Sequence, residues 1–206
     1  MRIPVVNPYM PDQKKYERLI SKIYDRGWLT NQGPFVQELE ERLSEYLGVK
    51  RIICVSSGSA ALHLAYKICN LHSRVVTSPF SYIATSSTLA WDELSPSFCD
   101  IHPKSLNLDV SNLKSYDFQE ISGIVTTLVY GNPFGLKELE NKCKEENIPL
   151  ILDAAHAFGI RMDNKSVLTI GKAASISFHA TKVFHTIEGG ALVVNSDEDE
   201  ELARSY

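Results

Sequence analysis

Short apolar runs, mostly β-branched, recur along this chain at residues 51–55, 74–77, 97–99, 123–129, 149–152, 174–178 and 191–194. Helical patterns lie between several of them, at 59–69, 83–91, 110–116 and 136–146. A strand followed by a helix and another strand is a crossover, and crossovers make neighbouring strands parallel. Runs that are apolar throughout, rather than alternating, mark strands covered on both faces. The pattern therefore predicts an α/β layer fold around a mostly parallel sheet. The last two runs are too close together for a helical crossover. They predict a hairpin or a mixed edge.

Two amphipathic helices precede the first run. One covers 12–26, with Tyr16, Leu19, Ile20, Ile23 and Tyr24 on one face and Gly27 as its stop. The other passes through Val36, Leu39, Leu43 and Tyr46 to Gly48. Between them, residues 27–34 read as a loop punctuated by Gly27, Gly33 and Pro34. From Ser196 a Ser or Asp cap and an acidic first turn open another helix. It reaches Tyr206 with no stop signal, as expected of a truncated chain.

With 206 residues, 44% of them apolar, the chain suits one sizeable core. A net charge of -4 with interspersed signs offers no basic face, which argues against nucleic acid as a partner. No run has the length of a membrane span, and Met1-Arg2-Ile3-Pro4 lacks the apolar core of a signal peptide. Cys54, Cys69, Cys99 and Cys143 are far apart, and three lie in or near apolar stretches. They read as reduced core residues rather than disulfides or metal ligands, and a cytoplasmic location follows by default.

Four segments carry candidate chemistry. Ser56-Ser57-Gly58-Ser59-Ala60 follows a strand and opens a helix, where free amides and the helix dipole suit an anion such as phosphate. Taken alone, this segment is better explained as a plain strand-to-helix turn with a serine cap. Pro79-Phe80-Ser81-Tyr82 follows the next strand, and an aromatic ring there can stack on a flat ligand. The pattern does not choose between Phe80 and Tyr82, and either is also an ordinary core residue. Asp153 ends an apolar strand, at the edge where parallel sheets hold ligands, and His156 follows three residues on. A helix cap and an unremarkable histidine are the bland alternatives.

The fourth segment is Ser177-Phe178-His179-Ala180-Thr181-Lys182, leading to Glu188-Gly189-Gly190. Lys182 sits among short, apolar and glycine residues, unlike Lys172, which has the look of a surface lysine. Desolvation disfavours an ammonium, and a neutral lysine amine attacks carbonyl compounds to form a Schiff base. Phosphate turn, aromatic platform, strand-end carboxylate and reactive amine, in that order, are what pyridoxal 5′-phosphate requires.

These residues resemble the DegT/DnrJ/EryC1/StrS family of sugar aminotransferases. The matching stretches are Gly27-Trp28-Leu29-Thr30 with Gly33-Pro34, Ser57-Gly58-Ser59-Ala60-Ala61-Leu62, Asp153-Ala154-Ala155-His156-Ala157-Phe158-Gly159, and Ser177 to Lys182 with Glu188-Gly189-Gly190. The resemblance spans essentially the whole chain. It implies the three-layer α/β sandwich of the fold-type I large domain, most of it within 1–206, with the small C-terminal domain absent. It implies Lys182 as the Schiff-base lysine and proton shuttle, Asp153 as partner of the pyridine nitrogen, and His156 beside the ring oxygen. Ser59, Ala60 and Ser177 fall where the family binds phosphate, and Tyr82 falls at its ring-stacking position.

The activity so implied is transfer of an amino group, commonly from glutamate, to a nucleotide-linked keto-deoxysugar, for surface polysaccharide or other amino-sugar biosynthesis. The family's homodimeric assembly is implied with it, as is impaired activity in so short a chain. A dehydratase of the same fold carries histidine in place of the lysine, which Lys182 counts against. A non-catalytic remnant or a regulatory or binding protein is the remaining alternative.

Overall fold

The computed structural model describes residue 4 and residues 6–206; residues 1–3 and 5, on which the reading of the extreme N-terminus rests, lie outside it. Helix α1 spans Gln13–Arg26 and α2 spans Pro34–Leu47. The Asp12 carboxylate accepts the Lys15 amide at 2.8 Å to cap α1. Gly27 and Gly48, at φ of 64° and 67°, end the two helices in the left-handed conformation that glycine tolerates best.

The core follows as β1 (Arg51–Val55), α3 (Gly58–Ile68), β2 (Arg74–Thr77), α4 (Ile83–Trp91), β3 (Ser95–Phe98), β4 (Ile121–Thr127), α5 (Leu136–Glu145) and β5 (Leu150–Asp153). After it come β6 (Arg161–Met162), β7 (Lys165–Ser166), β8 (Ala173–Ser177), β9 (Gly190–Val194) and α6 (Asp197–Ser205). The main sheet runs β1-β9-β8-β5-β4-β2-β3. Every pair from β8 to β3 is parallel, whereas β9 is antiparallel to both neighbours.

Side chains alternate across the sheet, so each strand feeds two cores. Ile124, Leu150, Leu152, Ala174, Ile176 and Val193 pack with Leu43 and Leu47 of α2 and Leu136 and Leu139 of α5. Val125, Ile151, Ala173, Leu192 and Val194 pack with α3, Leu89 of α4 and Ala203 of α6. The result is three layers, helices on both sides of a mostly parallel sheet, as the alternating pattern predicts. The same parity puts Thr127, Asp153 and Ser177, at the carboxyl ends of their strands, on the face shared with α3 and α4.

The hairpin expectation holds for β8 and β9, but β9 is no edge. It is inserted between β8 and β1, and β1 forms the border of the sheet. That border is held from outside: the Cys54 amide donates to Glu40 Oε1 at 2.8 Å, and Arg204 of α6 pairs with Glu40 Oε2 at 3.0 Å. The Arg51 guanidinium reaches Asp197 Oδ1 through Nε at 2.6 Å. A helix expected at 110–116 is instead a short 3₁₀ helix, Val110–Ser115, and β4 begins two residues earlier than its apolar pattern.

The two-residue turn Asp163-Asn164, both at positive φ, closes a small β6–β7 hairpin that the apolar pattern misses. All four cysteines are free thiols. Burial pushes Cys54, Cys69 and Cys143 up to about 12, so they stay protonated at neutral pH. Among the described residues no helix is long and apolar enough to cross a membrane.

Candidate active site

A cavity of about 460 Å³ opens at the carboxyl edge of the sheet. Three backbone segments meet on one side of it. Ser57 caps α3, its Oγ accepting the Ala60 amide at 3.1 Å. A Cβ on Gly58 would lie 3.0 Å from the Ser177 Cβ, and one on Gly190 would lie 2.4 Å from the Ser57 carbonyl carbon. Glycine at these positions lets the β1–α3 turn, the end of β8 and the start of β9 touch. Ser177 is thereby brought to the N-terminus of α3, beside Gly58 and Ser59. First-turn amides have no intrahelical partner, and with the Ser59 and Ser177 hydroxyls they form an anion-seeking corner.

Asp153 forms the floor of the cavity and is only 5% exposed. Its Oδ1 accepts the Ala155 amide at 3.2 Å, the local capping bond of a strand-end aspartate. Its Oδ2 accepts a 2.6 Å hydrogen bond from Thr85 Oγ1 in the first turn of α4. Tyr82, which precedes that helix, is 75% exposed with its ring on the cavity rim. Phe80 does not line the cavity, so of the two aromatic candidates the fold brings Tyr82 to the site.

Lys182 lies in the loop between β8 and β9. The loop is closed by Phe178 N–H to Gly189 C=O at 2.8 Å and Thr186 N–H to Phe178 C=O at 2.9 Å, and the Lys182 amide turns back onto His179 C=O at 2.9 Å. Its half-buried amine is held below the ordinary lysine range by desolvation, against the pull of the Asp153 charge. Burial also pushes the His156 imidazole below its ordinary value; the Lys182 charge acts in the same direction and Asp153 opposes it. The His156 ring lies parallel to that of Tyr130, 6.1 Å between centroids.

Six of the sequence candidates thus line one cavity: Ser59, Tyr82, Asp153, His156, Ser177 and Lys182. Ala60 is not among the lining residues, because it lies one position further into the helix and its amide is engaged by Ser57. Sequence reasoning missed Thr85, Thr127, Tyr130, His179 and Glu188. Thr127 ends β4, so the strand-end rule that selects Asp153 also selects it. His179 and Glu188 sit in the lysine motif itself and face each other across the cavity mouth at 3.7 Å. Tyr130 has a left-handed backbone, φ 52°, for which the sequence carries no signal.

Comparison with known proteins extends this picture. The model of the DegT/DnrJ/EryC1/StrS aminotransferase family matches residues 11–206. The dTDP-4-amino-4,6-dideoxy-D-glucose transaminase of Shigella dysenteriae is 39% identical over 197 residues, covering 96% of this chain and 54% of that protein. The putative pyridoxal phosphate-dependent aminotransferase EpsN of Bacillus subtilis (strain 168) is 29% identical over 205 residues, covering 96% and 52%. The solved structure of DesI in the presence of its TDP-sugar product is similar with a TM-score of 0.92 and 31% identity, over 96% of this chain and 50% of that one. The chain spans about half the length of the relatives it matches.

Proposed function

The chain belongs to the DegT/DnrJ/EryC1/StrS aminotransferase family, and from that premise we propose that it is the cofactor-binding part of a pyridoxal 5′-phosphate-dependent sugar aminotransferase. The observation that carries this reading is the convergence of residues from four separate segments on one cavity, with a buried carboxylate at its floor and a desolvated amine in its wall.

The cavity's donor set fits the cofactor group by group. The α3 amides of Gly58 and Ser59, with the Ser59 and Ser177 hydroxyls, suit a phosphate. The open face of Tyr82 suits a flat ring, and Asp153 suits a protonated ring nitrogen. When bound, the cofactor supplies an electron-poor ring that accepts electrons from a carbanion. Asp153 holds the proton on the ring nitrogen, which keeps the ring electron-poor. Lys182 Nζ, uncharged more readily than an exposed lysine, carries a proton to and from the donor α-carbon. His156, in the wall of the same cavity, would help to orient the ring.

The amino donor in this reading is an amino acid, glutamate first, and the acceptor a nucleotide-linked keto-deoxysugar. The relatives support that class: one is a dTDP-4-amino-4,6-dideoxy-D-glucose transaminase and another was solved with its TDP-sugar product. Residues 1–206 then make up most of the large domain, a smaller C-terminal domain lies outside them, and the working unit is a homodimer in the cytoplasm. The exposed apolar side chains of Trp28, Leu29 and Ile83 support an assembly that covers them. Absorbance spectroscopy tests the proposal. Protein supplied with pyridoxal phosphate acquires a visible band that Lys182→Ala abolishes; no band in the wild type would overturn the reading.

A further inference from the structure

Asp153 is fixed from two directions, and only one of them is local. The Ala155 amide is a neighbour in sequence, whereas Thr85 comes from a different helix, 68 positions away. Thr85 is completely buried, so no water stands ready to replace its hydroxyl. A threonine inside a helix ordinarily turns its hydroxyl back to a carbonyl of the preceding turn. Thr88, one turn on, does this, donating to Ala84 C=O at 2.7 Å. Thr85 instead directs its hydroxyl at the carboxylate, 2.6 Å from Oδ2, with the Thr127 hydroxyl at 3.5 Å.

The helix that delivers this hydroxyl is itself held. Tyr66 of α3 donates its phenol to Thr85 C=O at 3.4 Å and meets Thr88 Oγ1 at 3.0 Å. Tyr82 is the residue that caps α4, three positions before Thr85. A single rigid turn therefore sets both the aromatic rim and the second anchor of the aspartate.

We infer that Thr85 is a positioning residue, whose hydroxyl clamps the Asp153 carboxylate in the rotamer that engages a protonated ring nitrogen. This rests on the reading of Asp153 given above. The two donors leave one lone-pair direction on each carboxylate oxygen free. Without the hydroxyl the carboxylate keeps one anchor and can swing about its last torsion.

The test measures pyridoxal phosphate affinity and the ring ¹⁵N chemical shift of labelled cofactor in the purified chain. Variants are Thr85→Val, Thr85→Ala and Thr85→Ser, each alone and with Asp153→Asn; the alanine variant only removes atoms, so the result does not hang on how valine packs. Loss of the hydroxyl weakens binding about tenfold and moves the ring ¹⁵N signal toward that of an unprotonated pyridine. Serine restores both, and neither changes further in the Asp153→Asn background. Unchanged affinity and shift in Thr85→Val and Thr85→Ala would overturn the inference, as would an equal loss in the Asp153→Asn background, which marks a purely structural role. Failure of the wild type to bind pyridoxal phosphate at all is a different outcome and removes the functional reading itself.

Discussion

The ring of Phe184 stacks on that of Phe158, 4.8 Å between centroids and 6° from parallel. Both also meet Phe178 edge-on, at 5.1 and 6.4 Å. Phe184 lies two residues after Lys182, and Phe158 two residues after His156. The stack therefore ties the loop carrying the amine to the segment that follows Asp153 and carries the imidazole.

Removing that tie will loosen the lysine loop before it unfolds the domain. Phe184→Ala is expected to cost about 1–3 kcal/mol, less than a fully buried phenylalanine because Phe184 is only half-buried. Limited proteolysis checks the location of the effect: cleavage should appear first between residues 178 and 189.

Gly190 admits no side chain, since a Cβ would overlap the Ser57 backbone. Gly190→Ala should lose about 1–3 kcal/mol of stability by overpacking and should open the Ser57–Gly58 turn. Gly33 is the control: its φ is -62° and its nearest neighbour would be 3.7 Å from a new Cβ. Gly33→Ala should stay within about 0.5 kcal/mol of wild type in the same denaturant titration.

Glu40 is buried beneath the border strand, with Arg204 and the Cys54 amide as its partners. Arg204→Met leaves the carboxylate without its counter-charge. Both side chains keep some solvent contact, so the expected loss is about 1–3 kcal/mol rather than the larger penalty of a sealed site. Glu40→Gln in the same background should recover part of it in chemical denaturation, because the amide oxygen can still accept from Cys54.

The His156 imidazole is held below its ordinary value in the folded chain. As pH falls below about 6.5 the unfolded chain takes up this proton first, so folding loses stability toward acid and regains it as pH rises. His156→Asn should flatten that part of the pH profile. A thermal melt series from pH 7.5 to 5 in wild type and variant reads the difference directly.

Much of this was legible before any coordinates. Strands 51–55 and 74–77 and the helix at 83–91 appear with the bounds their patterns predict, because each is bracketed by turn residues and buries apolar or small side chains. Asp153 and Lys182 stand out because each is the wrong residue for its apolar surroundings. Thr85 does not, since a threonine in a helix is ordinary and its target lies 68 residues away. The place of β9 inside the sheet was illegible for the same reason. Spacing requires an antiparallel return from β8, but only tertiary pairing with β1 decides what lies on the other side. Ala60 differs from Ser59 by one position in a helix turn, a distinction that the Ser57 capping bond makes and the motif does not.

The central claim is that Lys182 is the amine that engages a carbonyl cofactor in this cavity, and borohydride trapping followed by peptide mapping tests it most directly. Protein incubated with pyridoxal phosphate, reduced and digested should carry the pyridoxyl phosphate group on Lys182, with Lys172 and the other lysines unlabelled at stoichiometric cofactor. Label spread over surface lysines with Lys182 unmodified would contradict the account.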